Sequence, residues 1–217
     1  MHHAPPSPLP SGAFDAGACP DLPGRLRQAI AVDHLAIETL PVTRAMMEGN
    51  LSLGAYGRLL ANLEPVHAAI EERVDREAAL RRIFDGPLVR RHSALACDLV
   101  HWGMHDGRSG ASAERLVAWI AGCTGDEAVG ACYVIAGSCL GAAVLAPRLA
   151  AAFKVPLVEG AGLDYQFVAP DTLMPAWRLV KQRLTDHGAA AGRHPEACAG
   201  ARAMMRGMFT VYAECAA

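Results

Sequence analysis

The stretch Gly137-Ser138-Cys139-Leu140-Gly141-Ala142-Ala143, inside the longer run Thr124 to Phe153, decides how the rest of the chain is read. Thr124 and Glu127 have the spacing of a capping box, in which the hydroxyl and the carboxylate satisfy each other's backbone donors. The run that follows is nearly uncharged and rich in Ala, Val, Ile and Leu, the pattern of a buried helix. Each glycine inside such a helix costs about 1 kcal/mol relative to Ala. Gly137 and Gly141 are four residues apart, so both missing side chains fall on one face. Pro147 clashes with the carbonyl of Ala143 and kinks the helix just beyond that thin patch. Two causes fit. Close packing of a second helix is the more usual one, and a flat ligand lying against exposed backbone is the other.

Composition narrows the setting. The 217 residues suffice for one domain with a buried core. They are 52% hydrophobic but only 6% aromatic, an Ala- and Leu-rich balance that favours helix over sheet. A net charge of -2 gives no basic field for nucleic acid or anionic lipid. The longest apolar run, Ala128 to Ala146, is interrupted by glycines and a serine and is read as too short for a membrane span. Met1 to Gly17 has no apolar core of the signal-peptide kind. Seven cysteines without a repeated spacing point to reduced thiols and a cytoplasmic location.

Outward from the glycine helix, the chain reads as helices throughout. Residues 1–20, rich in Pro, Gly and Ser, are expected to be a disordered lead-in to a single helical domain over residues 21–217. Asp21 can cap the first helix, with Pro23 in its first turn. Its stripe of Leu26, Ala29, Ile30, Asp33, His34 and Ile37 puts His34 on or beside the buried face, with Glu38 one turn on. Pro41 is expected to end that helix, a short helix to about Glu48 follows, and Gly49-Asn50 is a turn. Ser52 caps a helix from Leu53 to about Ile83 that Pro65 is expected to kink or divide. Further helices are expected over Leu88–Trp102, Ala113–Ala121, Pro170 to about His187 and Pro195 to about Cys215. Val155–Ala169 is irregular, and Gly188–Gly192 is a flexible link.

Two constellations could carry chemistry. Glu64-Pro65-Val66-His67 and Asp98-Leu99-Val100-His101 have the carboxylate-x-x-His spacing of a di-iron carboxylate oxidase built in a helical bundle, with Glu38 as one further ligand. The other constellation joins His34, whose imidazole a nearby Glu38 would orient, to the thinned helix across a slot wide enough for haem.

The residues of this second constellation also carry a resemblance. The run Leu26 to Glu38, with His34 and Glu38 a turn apart, resembles the first helix of biliverdin-producing haem oxygenases. Tyr133 to Ala142 is similar to the distal helix of that family, in the Gly-Ser-x-Leu-Gly-Gly version of bacterial enzymes associated with bacteriophytochromes. The likeness extends, less specifically, from Leu22 to Ala213. It implies an all-α, haem-oxygenase-like single-domain bundle that opens haem to biliverdin, CO and Fe(II) with O2. Electrons would come from an external ferredoxin or reductase, and the bilin could serve a bacteriophytochrome. His34 would be the iron ligand and Glu38 its neighbour. Arg27, Tyr133 and, more loosely, Arg178 would serve the propionate edge. Gly137, Ser138, Gly141 and Ala142 would form the distal wall. Three positions depart from the family pattern: Ala142 replaces a second glycine, Ser138 an acidic residue, and Ile30 a threonine. Those departures leave a haem-binding or signalling protein without turnover as an alternative.

Overall fold

The computed structural model describes residues 21–191 and 194–215, so the expected lead-in over residues 1–20 lies outside the described residues. Among these, the chain forms nine α-helices and no strand. They are α1 (Leu22–Glu38), α2 (Pro41–Glu48), α3 (Leu53–Arg76), α4 (Ala78–Phe84) and α5 (His92–His101). There follow α6 (Ala111–Gly122), α7 (Gly125–Phe153), α8 (Pro170–Ala191) and α9 (His194–Glu214).

Local chemistry sets most of the helix starts. The Asp21 carboxylate accepts from the Gly24 N–H at 3.0 Å, and the Ser52 hydroxyl accepts from the Ala55 N–H at 3.2 Å. The capping box at α7 is complete, with Thr124 N–H donating to Glu127 at 2.8 Å and Glu127 N–H to the Thr124 hydroxyl at 3.3 Å. Gly49 closes α2 at φ 70°, a left-handed conformation that glycine adopts without strain.

The departures from expectation have tertiary causes. Pro65 does not divide α3; the chain breaks instead at Glu77, which is extended. There Arg73 pairs with Glu77 at 2.5 Å and donates to the carbonyls of Ile120, Ala121 and Cys123. The end of α3 is thus tied to the end of α6, with three carbonyls satisfied around one guanidinium. The expected link at Gly188–Gly192 is mostly helix: α8 continues to Ala191, and Gly188 lets it approach α1, since an added Cβ would sit 2.8 Å from Leu22 Cβ. The helix expected from Leu88 begins only at His92.

The core is one continuous apolar cluster to which every helix contributes. α7 is its centre. At 29 residues it is long and apolar enough to cross a bilayer, contrary to the shorter run read from sequence, yet most of its apolar window is buried within the bundle. α7 packs along α9, α9 packs along α1, and α8 and α2 touch both α1 and α7. Arg148 on α7 donates to the Met47 carbonyl at the end of α2, fastening that end of the bundle.

Candidate active site between α1 and α7

α1 has three faces. Leu22, Leu26 and Ile30 point into the core, and Arg27, His34 and Glu38 share a different side. His34 is therefore not on the buried face; its side chain is 56% exposed, and Glu38 is comparable at 55%. The correction is one of angle. His34 stands about 80° around the helix from Leu26 and about 40° from Ile30, on the flank that borders the neighbouring space rather than the core. Its Nδ1 faces Glu38 Oε1 at 3.3 Å. A carboxylate there favours the proton on Nδ1 and leaves Nε2 as the basic nitrogen, the form a metal requires.

Arg27, on the same side two turns earlier, is exposed. Its charge reaches Tyr133 of α7: burial pushes the Tyr133 phenol up, and the Arg27 guanidinium acts in the opposite direction. Tyr133 packs its ring on Trp177 of α8 with centroids 5.6 Å apart. Arg178, the next residue of α8, is exposed. One end of the α1 flank, the start of the thinned stretch and α8 are thereby brought together.

The α7 side answers the question its glycines posed. A Cβ added at Gly141 would meet nothing within 4 Å, and one at Gly137 would make only an ordinary contact, 3.7 Å from Trp177 Cη2. Among the described residues no helix packs over Gly141. Gly141 and Ser138 are exposed, Gly137 and Ala142 are half-buried, and Val144 is 53% exposed on the same face. The Ser138 hydroxyl donates to the Ile135 carbonyl of its own helix at 2.7 Å. Its lone pairs remain available to accept, so it presents an acceptor rather than a donor to anything lying on the helix.

These features fit haem. One imidazole has a free basic nitrogen and an oriented ring, a cation and a phenol mark one edge, and the α7 backbone at Gly141 lies bare enough for a flat ring to approach. A family model described as Heme oxygenase matches residues 21–204. The chain belongs to the haem oxygenase family.

It is an oxidoreductase acting on haem, which serves as substrate and prosthetic group together. Solved structures agree on the fold. The haem oxygenase of Leptospira interrogans superposes with a TM-score of 0.80 at 21% identity, over 89% of this chain and 99% of that one. The haem complex of haem oxygenase-1 from the cyanobacterium Synechocystis gives 0.75 at 17% identity, over 89% and 91%. The NO- and CO-bound haem oxygenase of Neisseria meningitidis gives 0.67 at 21%, over 90% and 92%. A comparison with curated protein sequences finds no match.

In this haem oxygenase the carboxylate-x-x-His pairs build no di-iron centre. Among the described residues no group of three His, Cys, Asp or Glu side chains could hold a metal ion. Glu64 is taken by His92 Nε2 at 2.5 Å, and the exposed His101 rests edge-on against Trp102. The other two members belong to a buried polar cluster that the sequence reading missed. Asp98 accepts from the N–H groups of Asp164 and Tyr165 at 2.8 and 2.9 Å, and His67 Nε2 meets the Tyr165 hydroxyl at 3.0 Å. Arg91 donates to the carbonyls of Asp164, Tyr165 and Phe167. Together they pin the irregular segment 162–168. Cys139 of α7 sits at the edge of this cluster, its thiol donating to Leu88 O at 3.4 Å and its pKa held down somewhat by Arg91 against the larger effect of burial. The bare face of α7 is therefore backed by a rigid, hydrogen-bonded wall.

Proposed function

We propose that His34 is the axial iron ligand, that Glu38 orients it, and that Gly137, Ser138, Gly141 and Ala142 form the wall facing the other side of the ring. Arg27 and Tyr133 hold one propionate edge, and Arg178 adds a second cation there. The single observation that carries this reading is the open space over Gly141, on a helix whose partner-facing glycines lie elsewhere. The products are biliverdin, CO and Fe(II). Electrons come from an external ferredoxin or reductase, because the chain holds no flavin or nicotinamide motif. The Gly-Ser-Cys-Leu-Gly form of the wall supports use of the bilin by a bacteriophytochrome, in the cytoplasm.

Bound haem supplies the iron that activates O2 and the porphyrin that is opened. The protein's part is positional. Glu38 keeps the His34 proton on Nδ1 and so keeps Nε2 aimed away from its own helix. Arg27 fixes the rotation of the ring through a charge-assisted bond to a carboxylate. Ser138, its proton committed to Ile135 O, accepts from a water and orients that water's second proton toward the ring face. The methyl of Ala142 narrows the wall on one side.

Hemin added to the full chain should give a Soret band, and His34→Ala should shift or abolish it. Reductant and O2 should then replace that band with a bilin spectrum. A chain that stays colourless with hemin refutes the assignment of His34, and a stable ferrous–O2 spectrum with no bilin refutes turnover.

A further inference from the structure

Tyr133, Gly137 and Gly141 follow one another at four-residue steps along one side of α7, and exposure rises along that line. Tyr133 is buried, Gly137 is half-buried and Gly141 is exposed. A side chain from another helix accounts for the gradient. Trp177 of α8 lays its ring on Tyr133 with the two planes inclined by 39°. Its Cη2 atom lies 3.7 Å from where a Cβ at Gly137 would stand. One turn further on, nothing among the described residues lies within 4 Å of a Cβ at Gly141.

Trp177 is fixed in that place by the helix that carries it. Leu173, Val180 and Leu184 share its side of α8, and all three are buried. α8 starts at Pro170, directly after the segment that Asp98 and Arg91 pin by hydrogen bonds. The bare stretch of α7 therefore has an aromatic stop at one end and open backbone at the other. A flat ring lying on α7 can extend over Gly141 but meets the indole edge at Gly137. Arg27 acts on Tyr133, so the cation that draws a carboxylate stands at the same end as the stop. A packed aromatic edge gives way little, because its neighbours are close-packed as well. The four meso carbons of haem differ little in intrinsic reactivity, and orientation beneath the wall selects among them.

We propose that Trp177 is a specificity-determining residue: its indole edge sets how the porphyrin is seated and turned on α7, and thereby which meso carbon is opened. The inference rests on the haem assignment above and gives that site its regiochemical control.

Two readouts on the full chain test it. Proton NMR of the cyanide complex of bound ferric hemin gives shifted haem-methyl resonances, whose order reports the seating without any turnover. Products formed with reductant and O2 are resolved by chromatography into biliverdin isomers. Trp177→Ala is expected to reorder the methyl resonances and to lower the ratio of the major to the second isomer about tenfold or more. Trp177→Phe keeps a ring against Tyr133, so a severalfold drop is expected, and it reads the seat even where Trp177→Ala fails to fold. Leu179→Ala, on the opposite face of α8 and 48% exposed, should match the parent in both readouts. An unchanged methyl order and isomer ratio in the folded Trp177 variants overturn the inference and leave the haem assignment standing. An equal change in Leu179→Ala overturns it too, by assigning the effect to α8 as a whole. In a parent that binds hemin without opening it, the methyl order alone decides. A parent that gives no Soret band with hemin overturns the haem assignment, and the role of Trp177 with it.

Discussion

Two glycine-bearing regions of α7 look alike in sequence and are opposites in space. In the first half, Gly130 lies against α9: an added Cβ would fall 1.9 Å from the Ala197 carbonyl oxygen. Gly200 of α9 makes the reciprocal approach, where a Cβ would lie 2.1 Å from the Glu127 carbonyl oxygen. Backbone meets backbone there, and the glycines exist to let two helices close. In the second half, Gly141 has nothing within 4 Å. The same missing Cβ serves contact in one place and clearance in the other. What separates them is the partner helix, which no spacing rule along α7 can reveal.

The contrast breaks first at Gly130. Gly130→Ala forces a methyl into a neighbouring main chain, which has no rotamer to change. Overpacking of this kind costs about 3 kcal/mol, against a gain of up to about 1 kcal/mol from helix propensity. Urea denaturation should show the midpoint falling sharply at unchanged slope. A variant as stable as the parent would mean that α7 and α9 do not touch at this crossing.

The wall behind the open half offers a second test, through acid. Burial pushes the Asp98 carboxyl up to about 6, with the N–H groups of Tyr165 and Asp164 opposing. Burial pulls the His67 imidazole down to about 3, helped by Arg91 and His92. Between about pH 4 and 6 the folded protein holds the Asp98 proton more firmly than the unfolded chain does, so this group makes stability fall as pH rises. His67 does the reverse: folded, it refuses a proton that the unfolded chain accepts, so stability rises with pH up to the ordinary histidine range. Each fully expressed effect is worth about 1.4 kcal/mol per pH unit. In the parent the two oppose each other. Asp98→Asn should steepen the loss of stability on acidification, and His67→Phe should lessen it, both measured as differences from the parent by denaturation at several pH values. Parallel curves for all three proteins would detach the cluster from folding.

How much of this could be read from residues alone follows from how far each interaction reaches. Asp21, Ser52 and Thr124 announced their helices because a cap closes on a neighbour three residues away. Gly49 announced its turn for the same reason. The likeness of Leu26–Glu38 and Tyr133–Ala142 to haem oxygenases found the family. The polar cluster stayed hidden because His67 and Asp98 find their partners 98 and 66 or 67 residues away, and their spacing to Glu64 and His101 suggested metal instead. Likewise the sequence alone expects α3 to be kinked or divided at Pro65. The observed break, at Glu77, is set by a guanidinium reaching across to the end of another helix. Helical periodicity put His34 near the core face, and the drift of about 40° at each four-residue step from Leu26 through Ile30 carries it to the flank.

The smallest expected effect on stability is the one that sharpens the comparison most. Gly141→Ala adds a methyl to open space on a helix with ordinary backbone angles, so folding should be unharmed or gain up to about 1 kcal/mol. Only eleven residues along the helix from Gly130, the sign of the same substitution should reverse. If the bare face exists for a flat ring, the gain in folding comes with a loss in binding. A methyl pressed against a ring it cannot deform should weaken hemin binding about tenfold, equivalent to about 1.4 kcal/mol. Gly137→Ala is the internal control, since its methyl would meet the Trp177 edge at an ordinary distance before meeting anything else. Stability and hemin affinity measured together on Gly141→Ala therefore separate two reasons for a glycine. A protein that loses stability there has its space filled by packing, whereas one that gains stability and loses hemin has kept that face bare for the ring.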